Sequence, residues 1–455
     1  LAGGSAVTSL GERFMRNLKS GGALAWLSAF PAHFRRKISQ GVYRPEIDGL
    51  RFFAIAFVIF GHSLERAARF FPSYQTTLAG SRAEALLQVA PPGVFLFFAI
   101  SGFVLAGQAI KAKASPLSGA FLKSYFGRRI LRIEPPYILL LVATWALISL
   151  THWTPEGTHR FDVAPHSLDV SLAASVFYLH DLLWGTFPRL FPPGWSLEVE
   201  VQFYVLAPLL FALWATLRAG GERIALTLMF LATGVNLSLL GWKTLGPLHV
   251  EYSLLHYFNY FWLGIAMAYA REALTVRLAR APAGAVTALG WLGLAGFVAV
   301  SAPGERAALG LEAARLAATY ACMAAIFAST FDARSGFRGF CASPWISLIG
   351  GACYSIYLVH LQIIQVIFVV AAKVAPHLTL AGLAGLFVVA ALVVIAVGLT
   401  YYVQIERRFM ARDWPKTLWA YLRGVAPASS APRRDAASAP DARDALKRRS
   451  AATNP

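Results

Sequence analysis

The stretch 44–64, RPEIDGLRFFAIAFVIFGHSL, decides how this chain folds. It opens with four charged residues, Arg44, Glu46, Asp48 and Arg51, and then runs through ten uncharged residues to His62. A run of this length and composition reads as a membrane helix. A charge at the centre of such a helix costs about 2.5–3.5 kcal/mol on insertion scales. Arg51 and His62 are eleven residues apart. At about 100° per residue both project from one face, about 16 Å apart along the axis, with Asp48 near the same face. A polar stripe on a membrane helix belongs against a protein interior, not against lipid.

The rest of the chain repeats the pattern. Its 455 residues are 57% hydrophobic with a mean hydropathy of +0.55. Long charge-free runs recur from residue 47 to residue 403. The expected fold is an all-α polytopic membrane protein with a polar site inside the bundle. Ten spans are expected at 47–64, 91–110, 135–151, 196–217, 224–241, 253–270, 284–302, 308–330, 345–371 and 379–403. The apolar stretch 169–184 is short and ends in His180, Asp181 and Trp184, so it reads as interfacial or re-entrant. The organisation is then a basic, amphipathic segment over 1–44, a transmembrane domain over 45–410 and a low-complexity tail over 411–455. The first segment lacks the n-region, h-region and small-residue cleavage site of a signal peptide.

Charge sets the expected orientation. Of the 41 Lys and Arg residues, 31 fall on the side of the membrane that holds both termini in the ten-span arrangement and 8 on the other. The positive-inside rule makes the first side cytoplasmic. This asymmetry accounts for the net charge of +18 without nucleic acid. The longest outer loop, 152–195, is rich in His, Trp and Pro. Cys322, Cys341 and Cys353 are too few for a disulfide framework and are not spaced for zinc. No phosphate-binding P-loop, dinucleotide fingerprint or HExxH motif occurs.

Five constellations carry polar chemistry in this apolar setting. Arg51 with His62 has two readings. In one, Arg51 snorkels to the interface and His62 caps a polar contact; in the other, His62 is a general base. In FGRRILRIEPPY, 126–137, Arg129 and Arg132 share a helix face beside Arg128, with Pro135–Pro136 beginning the next span. That segment is either a topological basic loop or an anion site for phosphates. In PPGWSLEVEVQFYVLAPLL, 192–210, Glu198 and Glu200 lie about 200° apart and cannot face one pocket. An interfacial place is one reading of Glu198. In CYSIYLVHLQ, 353–362, Tyr357 and His360 share a face and Ser355 lies on another; hydrogen-bond glue between helices is the plain reading. In YYVQIERRF, 401–409, Glu406 and Arg407 close the last helix at an interface.

Taken together, EIDGLRFFAIAFVIFGHS, GVFLFFAISGFVL, RRILRIEPPY, WSLEVEVQFYVLAPLL, CYSIYLVH and QIERRF resemble the acyltransferase-3 family of membrane-bound acyltransferases, in the family's order and over about 44–410. The resemblance implies a ten-helix bundle that moves acyl groups, usually acetyl, from cytoplasmic acyl-CoA to a hydroxyl of an extracytoplasmic glycan or related acceptor. Its Arg-x10-His motif falls on Arg51 and His62, its Arg-x-x-Arg motif on Arg129 and Arg132, and its WSLxxE motif on Trp195, Ser196 and Glu200. Its serine–tyrosine–histidine helix falls on Tyr354, Ser355, Tyr357 and His360, and Glu406 matches its terminal Glu-Arg. Cys353, Arg408 and Phe95 depart from the family's usual residues. On this basis His62 is the expected general base, with Arg51 and Glu200 positioning or polarising it. Arg128, Arg129 and Arg132 would bind the phosphates of acyl-CoA, probed most simply as acetyl-CoA. Asp48, Trp195, Ser196, Ser355, Tyr357 and His360 would line the substrate site. No metal and no permanently bound cofactor is expected. The expected partners are acyl-CoA, a glycan or lipid-linked acceptor and membrane lipids, with no nucleic acid, at the bacterial cytoplasmic (inner) membrane. The alternatives are a transporter or flippase using the same residues as a polar pathway, and a scaffold in which they are glue.

Overall fold

A computed structural model describes residues 30, 31, 34, 43–81, 84, 89–112, 114–152, 162–217, 220–241, 243–301, 309–410, 414 and 423, with no side-chain description for 238 and 309. In chain order the helices are α1 (Pro45–Phe70), α2 (Pro72–Thr77), α3 (Ala90–Lys111), α4 (Gly119–Thr151), α5 (Leu168–Val176), α6 (His180–Trp184), α7 (Gly194–Thr216) and α8 (Gly220–Leu240). An antiparallel hairpin of two-residue strands, β1 (Thr244–Leu245) and β2 (Leu248–His249), follows. Then come α9 (Leu254–Leu278), α10 (Ala283–Ser301), α11 (Leu309–Ser329), α12 (Gly336–Cys341), α13 (Pro344–Gly351), α14 (Cys353–Val374) and α15 (Leu380–Tyr401). A π-helical turn, Tyr402–Glu406, and Arg407–Phe409 end the bundle.

Local chemistry fixes the ends. Pro45 starts α1, where a missing N–H is harmless, and Glu46 and Asp48 in its first turn favour the helix dipole. Ser118, Ser167, Ser253, Ser335 and Thr379 cap α4, α5, α9, α12 and α15 with their hydroxyl oxygens. By length and apolar composition, eight of the described helices are able to cross a membrane. They are the helices of eight expected spans; α8 and α9, 21 and 25 residues long, occupy the places of the other two.

Two expected boundaries change. Pro135 and Pro136 do not begin a span but lie inside the 33-residue α4, which carries the Arg128–Arg132 segment into the bundle. Tyrosine hydroxyls brace that region: Tyr354 donates to the Ile133 carbonyl at 2.7 Å and Tyr401 to that of Pro136 at 2.8 Å. The span expected at 345–371 divides at Ala352 into α13 and α14. Gly350 there touches the backbone of Asp48, an approach that no larger residue permits. The stretch 169–184 forms two short helices of nine and five residues, about 14 and 8 Å long and too short to cross a core of about 30 Å.

α1 sits among α3, α12, α13, α14 and α15, so its polar stripe faces protein. α3 and α9 meet backbone to backbone, Gly102 against Phe261 and Gly264 against Ala99, the small-residue contact that brings membrane helices together. Aromatic side chains fill the interior around this pair, with Phe98, Phe203 and Phe261 stacked at 4.0–4.7 Å.

Candidate active site

The two residues that opened the sequence reading have different surroundings. Arg51 forms an ion pair with Asp48, one turn earlier on α1. His62 Nδ1 lies 3.0 Å from Glu65 Oε2. A carboxylate only accepts, so Nδ1–H donates and the lone pair is left on Nε2. Arg66 holds the other oxygen of Glu65 at 2.6 Å. The ring of His62 is partly exposed, and its centroid lies 5.2 Å from that of His360 on α14.

His360 is fully buried. Its Nδ1–H donates to the Tyr357 carbonyl at 2.6 Å. Its Nε2 has no hydrogen-bond partner. The Tyr357 ring is 5.2 Å from the His360 ring, and its hydroxyl donates to the Pro193 carbonyl at 2.8 Å and meets Ser196 Oγ at 2.7 Å. Ser196, Tyr357, His360 and His62 thus form a continuous line from the start of α7 to α1. Trp195 packs against Tyr252 and Tyr257 at 5.3 and 5.5 Å, and Phe95 stacks on Tyr260 at 4.6 Å in the same aromatic cluster.

Other expected site residues lie elsewhere. Ser355 does not join Tyr357 and His360; its hydroxyl donates to Glu406 Oε2 at 2.7 Å. The guanidinium of Arg132 holds Glu406 Oε1 at 3.1 and 3.3 Å. The π turn adds a residue to the helical register there, and Glu406 ends fully buried rather than interfacial. Cys353 is within electrostatic reach of Arg51, Glu406, Arg132 and Asp48, so both ion pairs surround the start of α14. Arg129 is buried, donates to the Tyr125 carbonyl at 2.6 Å and to Gln108 Oε1 at 3.3 Å, and lies over the Tyr125 ring. Arg128 donates to Ser124. Glu200 accepts from Ser101, and no hydrogen bond among the described residues joins it to Arg51 or His62. Glu198 faces away, as its angle requires, but it is fully buried and accepts from the backbone N–H of Asp181 at 2.9 Å. Among the described residues no group of three or more His, Cys, Asp or Glu is placed to hold a metal.

Sequence reasoning missed Glu65, although its place three residues after His62 puts it on the same face. It also missed Ser101, Gln108, Tyr125 and the grip of Glu406 on two distant side chains, for which no local signal exists.

What this arrangement can do is narrow. It offers one imidazole with a fixed tautomer and a free lone pair, and a second buried imidazole beside it. Comparison with known proteins gives a consistent answer. Residues 44–403 match the family described as the acyltransferase domain. The chain is similar to "Nodulation protein 10" of Rhizobium leguminosarum bv. viciae, 28% identical over 189 residues, which are 40% of this chain and 48% of that protein. It is also similar to "Putative peptidoglycan O-acetyltransferase YrhL" of Bacillus subtilis (strain 168), 25% identical over 211 residues, 44% of this chain and 28% of that protein. The matches therefore span less than half of either relative. No solved structure matches.

Proposed function

The chain belongs to the acyltransferase-3 family, and from that premise we propose that it is an integral-membrane O-acyltransferase. It moves an acyl group, acetyl in the simplest case, from acyl-CoA on the cytoplasmic side of a bacterial inner membrane to a hydroxyl of an extracytoplasmic glycan or lipid-linked acceptor. The observation that carries this reading is the His62 Nε2 lone pair, fixed by the Nδ1–H···Glu65 hydrogen bond.

His62 takes the proton of the acceptor hydroxyl as its oxygen attacks the thioester carbonyl. The C–O bond forms, the C–S bond breaks, and the imidazolium returns its proton to the departing thiolate. Glu65 stabilises the imidazolium between these steps and holds the ring in one tautomer. Arg51, tied to Asp48, holds the cytoplasmic end of the helix that carries His62. Arg128, Arg129 and Arg132 present positive charge to the donor's phosphates; Arg132 shares its charge with Glu406, so Arg128 and Arg129 carry more of this role. Glu200 and Trp195, Ser196, Tyr357 and His360 line the acceptor side, and Ser355 acts through Glu406.

The test is transfer by the purified, membrane-embedded chain. With isotope-labelled acetyl-CoA and envelope glycan fractions, label is expected in a base-labile ester on the glycan. Absence of label from every fraction, with the donor bound and unconsumed, would overturn the reading in favour of a transporter.

A further inference from the structure

The line from His62 to Ser196 leads to a second polar cluster that the reaction scheme does not use. His180, Asp181 and Glu198 are respectively 0, 1 and 0% exposed. His180 Nδ1 lies 3.0 Å from the Thr186 carbonyl, so Nδ1–H donates and Nε2 carries a lone pair with no partner. Glu198 Oε2 accepts from the Asp181 backbone N–H; the His180 backbone N–H also interacts with this carboxyl group, but Glu198 Oε1 has no hydrogen bond of full geometry. Neither carboxylate oxygen of Asp181 has a hydrogen bond of full geometry, though the Tyr252 backbone N–H interacts with it. Four buried acceptor atoms within one short segment and the helix turn beside it therefore lack a hydrogen bond of full geometry. A buried polar group without a partner costs about 1–3 kcal/mol, and native proteins hold few of them. Four together mark a place where donors are missing.

The neighbourhood says which donors fit. Trp195 and Glu198 are three residues apart and share a face of α7. Trp195 packs on Tyr252 and Tyr257, Tyr252 packs on Phe187 at 4.9 Å, and Asp181 is within electrostatic reach of Tyr252, Tyr257 and Glu251. Flat aromatic faces thus adjoin a set of acceptors. A metal is disfavoured, because no three-ligand group exists among the described residues. An isolated cation is disfavoured too. Burial, and then Glu251, raises the Asp181 carboxyl to about 7, so it exchanges between donor and acceptor near neutrality. That matches a hydroxyl, which does both.

We propose that His180, Asp181 and Glu198 form a subsite for adjacent hydroxyl groups of a pyranose ring, with Trp195, Tyr252 and Tyr257 as its apolar platform. This rests on the acceptor being a glycan, as proposed above. Trp195 of the platform is next to Ser196, which leads through Tyr357 and His360 to the reacting centre. The subsite orients the acceptor; it does not touch the thioester. His180 and Asp181 open α6, a five-residue helix ended by Gly185 in the left-handed region (φ 62).

The test uses the full chain in nanodiscs and a panel of methyl pyranosides (gluco, galacto, manno, rhamno and N-acetylglucosamine forms), with glucosamine as a cationic control. Binding is read by saturation-transfer NMR and tryptophan fluorescence. At least one pyranoside should bind wild type and lose about tenfold in affinity in Asp181→Ala and in Glu198→Gln, the factor expected for one hydrogen bond to a charged group. Melting curves confirm that both variants are folded, and Asp181→Asn, which keeps the shape, should lie between. Failure of every pyranoside to bind, equal binding by folded variants, or preference for glucosamine alone would each overturn the subsite. Acetyl-CoA consumption by wild type is followed in parallel. Saccharide binding that depends on Asp181 without any consumption would sink the acyltransfer reading and leave the subsite standing.

Discussion

Two polar regions of this bundle are built in opposite ways. Around the start of α14 the charges are partnered: Arg51 with Asp48, and Arg132 and Ser355 with Glu406. Toward His360, His180, Asp181 and Glu198 the pattern reverses, and His360 Nε2, His180 Nε2, both Asp181 oxygens and Glu198 Oε1 lack a hydrogen bond of full geometry. Satisfied networks rigidify a fold, whereas unsatisfied ones carry a penalty that a ligand relieves. The difference marks the Arg51–Asp48 and Arg132–Glu406 pairs as largely frame and supports the proposal that the acceptor meets the histidine-rich end, with the donor's phosphates left to Arg128 and Arg129.

The sharpest way to break this contrast is at its two centres. His62→Ala should lower transfer by about 10²–10⁴-fold, the range for a lost general base, while the melting curve stays in place. A His62→Ala protein that transfers normally would return the stripe to interhelical glue. Glu406→Ala should do the reverse. It leaves Arg132 beside a cavity without its counter-charge, a loss of about 3–5 kcal/mol for a broken buried pair. The expected result is poor recovery of folded protein in detergent and an early melt. A fully stable but inactive Glu406→Ala variant would move the arginine knot from frame to working site.

The contrast was only partly legible in the sequence. Helix positions were, because about 20 apolar residues are needed to cross a bilayer and such runs announce themselves. So was the divergence of Glu198 and Glu200, which follows from 100° per residue. The continuity of α4 through Pro135–Pro136 was not, because it is braced by Tyr354 and Tyr401, more than 200 positions away. The spacing put Ser355 on another face from Tyr357, but its partner was not legible, because Glu406 arrives there only after the π turn. Glu65 was overlooked because a glutamate near the end of a membrane helix reads as interface; only its distance to His62 shows its use.

Glu65 offers a finer test. It is 57% exposed, so its hold on His62 is screened. Glu65→Gln should lower kcat by about tenfold, a fraction of the full general-base effect, and leave the donor KM unchanged. Glu65→Ala should be worse, because Gln retains an acceptor oxygen for Nδ1–H. A change confined to KM would make Glu65 a binding residue instead.

The smallest expected effect lies in the unsatisfied region and is a dependence on pH. The Asp181 carboxyl is raised from 3.8 in the free side chain to about 7 in the fold, first by burial and then by Glu251. The folded state therefore binds this proton more tightly than the unfolded state does. Its stabilising effect is fully present below about 4, is lost as pH rises through about 7, and does not change further above that. His180, Glu198, Glu251, Tyr252 and Tyr257 face this carboxyl from the elements around it, so the useful quantity is the difference between wild type and Asp181→Asn. Melting curves from pH 4 to pH 8 should show that difference as a slope of on the order of a few degrees. A bound pyranoside whose hydroxyl donates to Asp181 stabilises the ionised carboxylate, so saturating sugar should flatten the slope in wild type and do nothing in Asp181→Asn. A slope that persists unchanged in Asp181→Asn would assign the titration to another group and remove Asp181 from the contrast on which the two halves of the site are distinguished.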